Sequence, residues 1–171
     1  MRAVVVYESM FGNTERVAQA VADGLRGSME VDLVEAGAAI AAGRPDLLVV
    51  GGPTQGFSLS RKAAGGPTTK VPPGRPPFHA GGIRSWIETL PRADAPAFAA
   101  FDTRFRRPRW LTGSAARATE KRLRAKGYAP AAPAQSFFVA HSPGPLLQDE
   151  LGRARAWSAD VATRVARPAA A

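Results

Sequence analysis

The fold of this chain is decided by the stretch Val4-Val5-Val6-Tyr7-Glu8-Ser9-Met10-Phe11-Gly12-Asn13-Thr14-Glu15. Its continuous apolar run is typical of a strand that is buried on both faces. A short turn of Ser, Gly and Asn residues follows, and an amphipathic helix begins directly after it. In such a turn, backbone N–H groups and hydroxyls converge at the positive end of the helix dipole. The stretch therefore predicts a strand, a phosphate-binding loop and a helix.

The rest of the chain alternates between strand and helix patterns. Apolar runs predict five strands, at residues 3–7, 31–34, 47–51, 97–101 and 136–140. Helical spacing predicts helices at residues 14–25, 83–90, 114–126 and 147–165, with a brief helix at 36–43. Such alternation predicts a three-layer α/β sandwich around a five-stranded parallel sheet. Sheets of this kind bind ligands beyond the carboxyl ends of their strands.

Composition narrows the class of protein. The chain has 171 residues, 45% of them hydrophobic and none of them cysteine. This length predicts one domain, residues 1–166, with an irregular Gly- and Pro-rich loop at 62–77 and a frayed tail at 167–171. The sequence lacks a basic leader and any apolar run of about 20 residues, so we expect a cytoplasmic protein without a membrane span. Without cysteine, any redox chemistry must come from a bound cofactor.

The first loop, Ser9-Met10-Phe11-Gly12-Asn13-Thr14, resembles the phosphate loop of flavodoxins and flavodoxin-like FMN proteins. It is especially similar to the loop Asp-Ser-Met-Tyr-Gly-Asn-Thr-Glu in the flavodoxin module of flavodiiron-type proteins. The resemblance covers residues 2–165 and implies a flavodoxin-like fold with strand order 2-1-3-4-5. It also implies that Ser9, Asn13 and Thr14 hydrogen-bond the phosphate of noncovalently bound FMN, while Gly12 lets the backbone wrap around it. Glu8 departs from the family, in which Asp or Ser is usual.

A second ligand loop, Pro53-Thr54-Gln55-Gly56-Phe57, follows the third strand. In flavodoxin-like proteins, a Gly-x-Pro-Thr segment at this place lies along one side of the flavin ring. The resemblance therefore implies that Thr54, Gln55 and Gly56 bind the flavin through their backbone. Phe57 either covers the ring or packs locally within the loop.

The third loop departs most from the family. Flavodoxins usually place a Gly-rich, acidic segment with a Tyr after the fourth strand, whereas this chain has Asp102-Thr103-Arg104-Phe105-Arg106-Arg107-Pro108-Arg109-Trp110. Asp102 and Thr103 lie nearest to the strand end and are the implied site residues. Trp110 precedes a Thr-Gly-Ser-Ala turn that is similar to a turn in flavodiiron modules. Trp110 or Phe105 is therefore the candidate cover for the other ring face.

Basic residues are concentrated in residues 104–126. This segment contains nine Arg and Lys residues and one acid, and the net charge of the whole chain is +9. Such a patch either steers an acidic redox partner or an anionic substrate, or is simply a solvated helix face. Nucleic acid is not expected as a partner, because the patch lacks regular aromatic interleaving and a recognised motif.

Three functions stay open from the sequence. The three loops favour an FMN-binding electron-transfer protein, in which the flavin supplies the chemistry and no side chain is catalytic. The second is an FMN-dependent oxidoreductase of the quinone or protoporphyrinogen type, with residues 62–77 over a substrate pocket. The third is a flavin-free binding or regulatory domain. No metal is expected, because His79 and His141 lack cysteine or paired carboxylate partners.

Overall fold

A parallel sheet runs through the centre of the protein. The computed structural model describes residues 1–36, 44–54, 82–92, 96–108, 110, 113–141 and 143–167. Its strands are β1 (Arg2–Tyr7), β2 (Glu30–Glu35), β3 (Leu47–Pro53), β4 (Ala97–Phe105), β5 (Ala129–Pro130) and β6 (Gln135–Val139). The order is β2-β1-β3-β4, and both β5 and β6 pair with β4. The predicted strand order is confirmed: β6 is the fifth predicted strand, and the two-residue β5 is an addition.

Helices cover both faces of this sheet. Within the described ranges they are α1 (Asn13–Arg26), α2 (Gly82–Thr89), α3 (Ala115–Ala125) and α4 (Glu150–Ala166). Successive strand residues point to opposite faces, so they supply two separate cores. One core joins the sheet to α1 and α4, and the other joins it to α2 and α3. The predicted three-layer sandwich is therefore confirmed. The predicted brief helix, apart from Ala36, the predicted loop at 62–77 and tail residues 168–171 lie outside the described residues.

Close approach of α1 and α4 requires a glycine. A Cβ atom on Gly24 would lie 2.1 Å from Ser158 Oγ and 2.4 Å from the backbone carbonyl oxygen of Arg155. On the same helix α4, the Trp157 ring packs edge-to-face on the rings of Phe101 and Phe137, and the ring centroids are 6.2 and 6.0 Å apart. These contacts hold α4 on the sheet.

Strand β4 is longer than the sequence predicts. It runs four residues past Phe101, and Asp102, Thr103 and Arg104 pair with residues 136–138 of β6. Asp102 and Thr103 therefore lie in the strand and not in a loop. Arg104 is also not part of an exposed basic insertion, because it is only 4% exposed and its guanidinium lies 5.8 Å from the centroid of the Phe138 ring.

The outer edge of β6 is covered by the chain itself. The Phe138 N–H donates to Glu150 Oε2 over 3.0 Å, and the Phe138 carbonyl accepts from the Leu147 N–H over 2.9 Å. Arg153 donates to the Ser136 carbonyl. Because these groups are already paired, the edge offers little template for a further strand. In the part of the chain that the structure describes, no helix is both long enough and apolar enough to cross a membrane.

Candidate functional site

The predicted ligand residues of the described chain meet at the carboxyl edge of the three central strands. The first loop follows β1, and Thr54 follows β3. Asp102 and Thr103 form the last residue pairs between β4 and β3. Strand order reverses between β1 and β3, because β2 lies on one side of β1 and β3 on the other. Open α/β sheets bind ligands at such a switch point.

The first loop turns sharply so that α1 can begin. Gly12 has a φ of 85°, in the left-handed region that glycine adopts without a Cβ clash. Its N–H donates to Ser9 Oγ over 3.1 Å, and its carbonyl accepts the first helical hydrogen bond from the Arg16 N–H. Because glycine has no side chain, α1 begins without a side-chain cap. The positive end of a 14-residue helix is thus left to an external acceptor.

Two hydroxyls stand beside this helix terminus. Thr14 Oγ1 and Thr103 Oγ1 are 2.7 Å apart, and the two residues are 2% and 6% exposed. Each hydroxyl carries one hydrogen, so the pair uses one and keeps one for a further acceptor. Met10, Phe11, Gly12 and Asn13 are half-buried and form the more accessible part of the loop. The geometry fits a phosphate group, which accepts hydrogen bonds only.

A buried carboxylate ties the second predicted loop to α3. Asp102 is fully buried, and its Oδ2 accepts from Ser114 Oγ at 2.6 Å, Thr54 Oγ1 at 3.0 Å and the Ala116 N–H at 3.0 Å. Thr54 Oγ1 also accepts from the Ala115 N–H, and the Thr54 N–H donates to the Thr103 carbonyl. One hydrogen-bond network therefore joins Thr54, Asp102 and Thr103 to the start of α3. Hydrogen bonds to a charged carboxylate are stronger than those between neutral groups.

The remaining predicted site residues are placed less centrally or are not described. Pro53 ends β3 and pairs with Thr103. The Asn13 side-chain amide donates to the Pro143 carbonyl, which joins the first loop to the segment after β6. Trp110 is 81% exposed, so its ring is available to an external flat molecule. Gln55, Gly56 and Phe57 lie outside the described residues.

Two residues of this edge were not predicted as site residues. Glu8 is buried, and its Oε2 accepts from the Ile83 N–H over 2.9 Å at the start of α2. The Glu8 side chain thereby joins the end of β1 to the start of α2. Ser114 caps α3 by accepting from the Arg117 N–H over 3.2 Å. A Ser before an amphipathic helix is the signal for such a cap.

The basic segment is divided among several surroundings. Arg106 and Arg107 follow β4 and are exposed next to the site, whereas Arg104 is buried. Partial burial lowers the pKa of Arg122, the nearby Arg84 lowers it further, and Glu88 opposes both effects. Among the described residues, no cluster of three His, Asp or Glu side chains could hold a metal ion.

Comparisons with known proteins bear on the fold. No family model matches the sequence, and no curated protein matches it. The structure is similar to a flavodoxin from the domain Archaea, with 18% identity, a TM-score of 0.69, and coverage of 98% of this chain and 100% of that chain. It is also similar to oxidised flavodoxin 2 from Bacillus cereus, with 20% identity, a TM-score of 0.66, and coverage of 95% and 99%.

A larger protein contains the same arrangement. The flavodiiron core from Synechocystis matches 96% of this chain over 36% of its own length, with 17% identity and a TM-score of 0.65. This agrees with the resemblance of the first loop to flavodiiron modules. Identities this low carry an argument about the fold and not about the site. The chain therefore has the flavodoxin-like α/β fold that its first loop predicts.

Proposed function

We propose that this protein binds FMN noncovalently and passes electrons through it. The observation that carries the proposal is the uncapped start of α1 at Gly12, with the Thr14–Thr103 hydroxyl pair beside it, at the switch point of the sheet. Helix N-termini of this kind bind phosphate through backbone N–H groups and the helix dipole. Flavodoxins are among the structures that this fold resembles.

The first loop would hold the phosphate. In this proposal Ser9, Asn13 and Thr14 donate from side chains, and the backbone N–H groups of Met10 and Phe11 face the phosphate oxygens, while the Gly12 N–H stays bonded to Ser9 Oγ. A dianionic phosphate is favoured here by the dipole of α1. Asn13 already donates to the Pro143 carbonyl, so its second N–H would serve the phosphate.

The second and third loops would hold the ring. One side of the ring is proposed to contact Thr54, together with Gln55, Gly56 and Phe57, which lie outside the described residues. The other side is proposed to contact Trp110 or Phe105. Asp102 would act through Thr54 and α3, because it is fully buried and fixes both. FMN, when bound, supplies the electron-transfer chemistry, and the chain orients the ring and sets its electrostatic surroundings. The exposed Arg106 and Arg107 would attract an acidic redox partner.

The choice between FMN and FAD provides the test. The sequence offers one phosphate loop and no second adenosine-binding unit, so we expect FMN. The protein is loaded with an equimolar mixture of FMN and FAD, separated from free flavin and heated, and the released flavin is identified by chromatography. FMN should dominate. Release of mostly FAD would overturn the choice of cofactor.

The enzyme alternative has its own test. A stand-alone oxidoreductase would oxidise NAD(P)H with a quinone as acceptor, whereas an electron carrier needs a protein donor. We expect the FMN-loaded protein to show no such turnover above the rate of free FMN. Sustained turnover would favour the oxidoreductase and count against the carrier.

A further inference from the structure

An open groove lies along the lateral edge of the sheet. Its volume is about 840 Å³, which is in the range of ligand and peptide clefts. Helix α3 forms one wall, and the segment 130–135, from the end of β5 to the start of β6, forms the floor. Arg164 of α4 also lines the groove. None of the described residues that were predicted to bind FMN lines it.

The groove is positively charged. Arg117, Lys121, Arg124 and Arg164 line it, and Glu120 is the one acid of its described lining. Arg124 pairs with Glu120 at 2.9 Å and Arg164 pairs with Asp160 at 2.8 Å, both at the surface. Arg117 and Lys121 are exposed and form no ion pair with any acid of the described chain. Because they are one helical turn apart, they lie on the same side of α3.

The floor of the groove is apolar and of peptide length. Residues 130–134 are Pro, Ala, Ala, Pro and Ala, whose side chains offer methyl and ring CH₂ groups but no hydrogen-bond donors. Six consecutive residues, 130–135, extend over at most about 20 Å. A chain of similar length can therefore lay its methylene groups on the floor and its charged ends against α3.

Other occupants fit less well. A second copy of this chain carries the same net charge of +9 and would be repelled. A single-stranded nucleic acid would need aromatic rings for base stacking, and the described lining has none. A strand added to the sheet is disfavoured, because the outward groups of Phe138 and Ser136 on β6 are already bonded.

We propose that this groove binds an extended, glutamate-rich segment of a partner protein. Glu carboxylates pair with Arg117 and Lys121, and their methylene groups pack on the Pro and Ala floor. The weak surface pairs at Arg124 and Arg164 leave these cations able to turn toward the partner.

The test measures binding of a fluorescein-labelled hexaglutamate peptide to the full chain by anisotropy at low ionic strength. We expect the double variant Arg117→Gln/Lys121→Gln to bind about 3- to 30-fold more weakly than the unaltered chain. The matched control, Arg26→Gln/Arg155→Gln, removes the same charge from exposed residues beside Asp23 and should change affinity less than twofold. Added salt should weaken binding to the unaltered chain.

A second measurement locates the peptide. In ¹⁵N–¹H spectra, backbone amides of Ala131, Ala132 and Ala134 should shift on addition of hexaglutamate. Equal loss of affinity in both double variants, or shifts that avoid the floor, would overturn the proposal. So would tighter groove-dependent binding of an oligothymidine of six nucleotides. Neither experiment requires FMN, so failure here is distinct from failure of the proposed cofactor.

Discussion

At the scale of single residues, Thr14 connects the proposed phosphate seat to the sheet. Its hydroxyl is 2.7 Å from that of Thr103, and both residues are buried. The first loop that carries Thr14 was predictable from the sequence, because Gly12 and the following helix are a local pattern. Thr103 was also predicted as a site residue, but its pairing with Thr14 was not, because Thr103 lies 89 residues further along the chain and only the sheet brings the two together.

Thr14→Ala tests the phosphate assignment. Loss of a hydroxyl that bonds a charged phosphate should cost about 1.5–3 kcal/mol, or roughly 10- to 150-fold in FMN affinity. Riboflavin lacks the phosphate, so its affinity should hardly change. Thr14→Ser keeps the hydroxyl and is the control. Equal weakening for FMN and riboflavin, measured by fluorescence titration, would point to a folding defect and contradict the assignment.

At the scale of elements, the sequence predicted the five main strands from continuous apolar runs and the four described helices from their helical spacing. It missed the end of β4, since Asp102, Thr103 and Arg104 interrupt the apolar pattern. Asp102 Oδ2 and Thr103 Oγ1 find their hydrogen-bond partners at Thr54 and Thr14, far away along the chain. It also missed β5, because a two-residue strand containing Pro130 has no period to detect. The hydrogen bonds that join Thr54 and Asp102 to α3 could not be predicted either, because they have no periodic pattern in the sequence.

Two glycines in helices predict opposite effects on stability. Gly24→Ala puts a Cβ 2.4 Å from the backbone oxygen of Arg155, so α1 and α4 must separate. This overpacking should cost about 1–3 kcal/mol, more than the roughly 1 kcal/mol that alanine contributes in a helix. Gly152→Ala meets no atom within 4 Å and should stabilise the protein by about 0.5–1 kcal/mol.

Urea unfolding of both glycine variants measures these changes in the free energy of unfolding. Stabilisation by Gly24→Ala equal to that of Gly152→Ala would mean that the two helices do not pack as closely as described.

At the scale of the whole molecule, the uneven charge bears on redox behaviour. Arg106 and Arg107 are exposed after β4, next to the proposed ring loops, while Arg104 is buried against Phe138. Positive charge near a flavin favours its reduced, anionic form. Arg104 therefore contributes primarily to packing against Phe138. The exposed Arg106 and Arg107 are the residues that should raise the reduction potential of the flavin.

Arg106→Gln/Arg107→Gln tests this tuning on FMN-loaded protein. We expect the potential for the second electron to fall by roughly 20–40 mV for each arginine near the ring at low ionic strength. The shift should shrink as salt is added, since both side chains are exposed. Arg26→Gln/Arg155→Gln removes the same charge far from the carboxyl edge and serves as control. An unchanged potential in the first variant would leave these arginines to docking or solvation.

The central claim is that the carboxyl edge of this sheet holds FMN. The most direct measurement is the visible absorption spectrum of the protein after incubation with FMN and gel filtration. We predict that flavin absorption elutes with the protein in equimolar amount and that the bound fluorescence is quenched. A folded protein, as judged by circular dichroism, that elutes colourless would contradict the claim and favour the flavin-free domain.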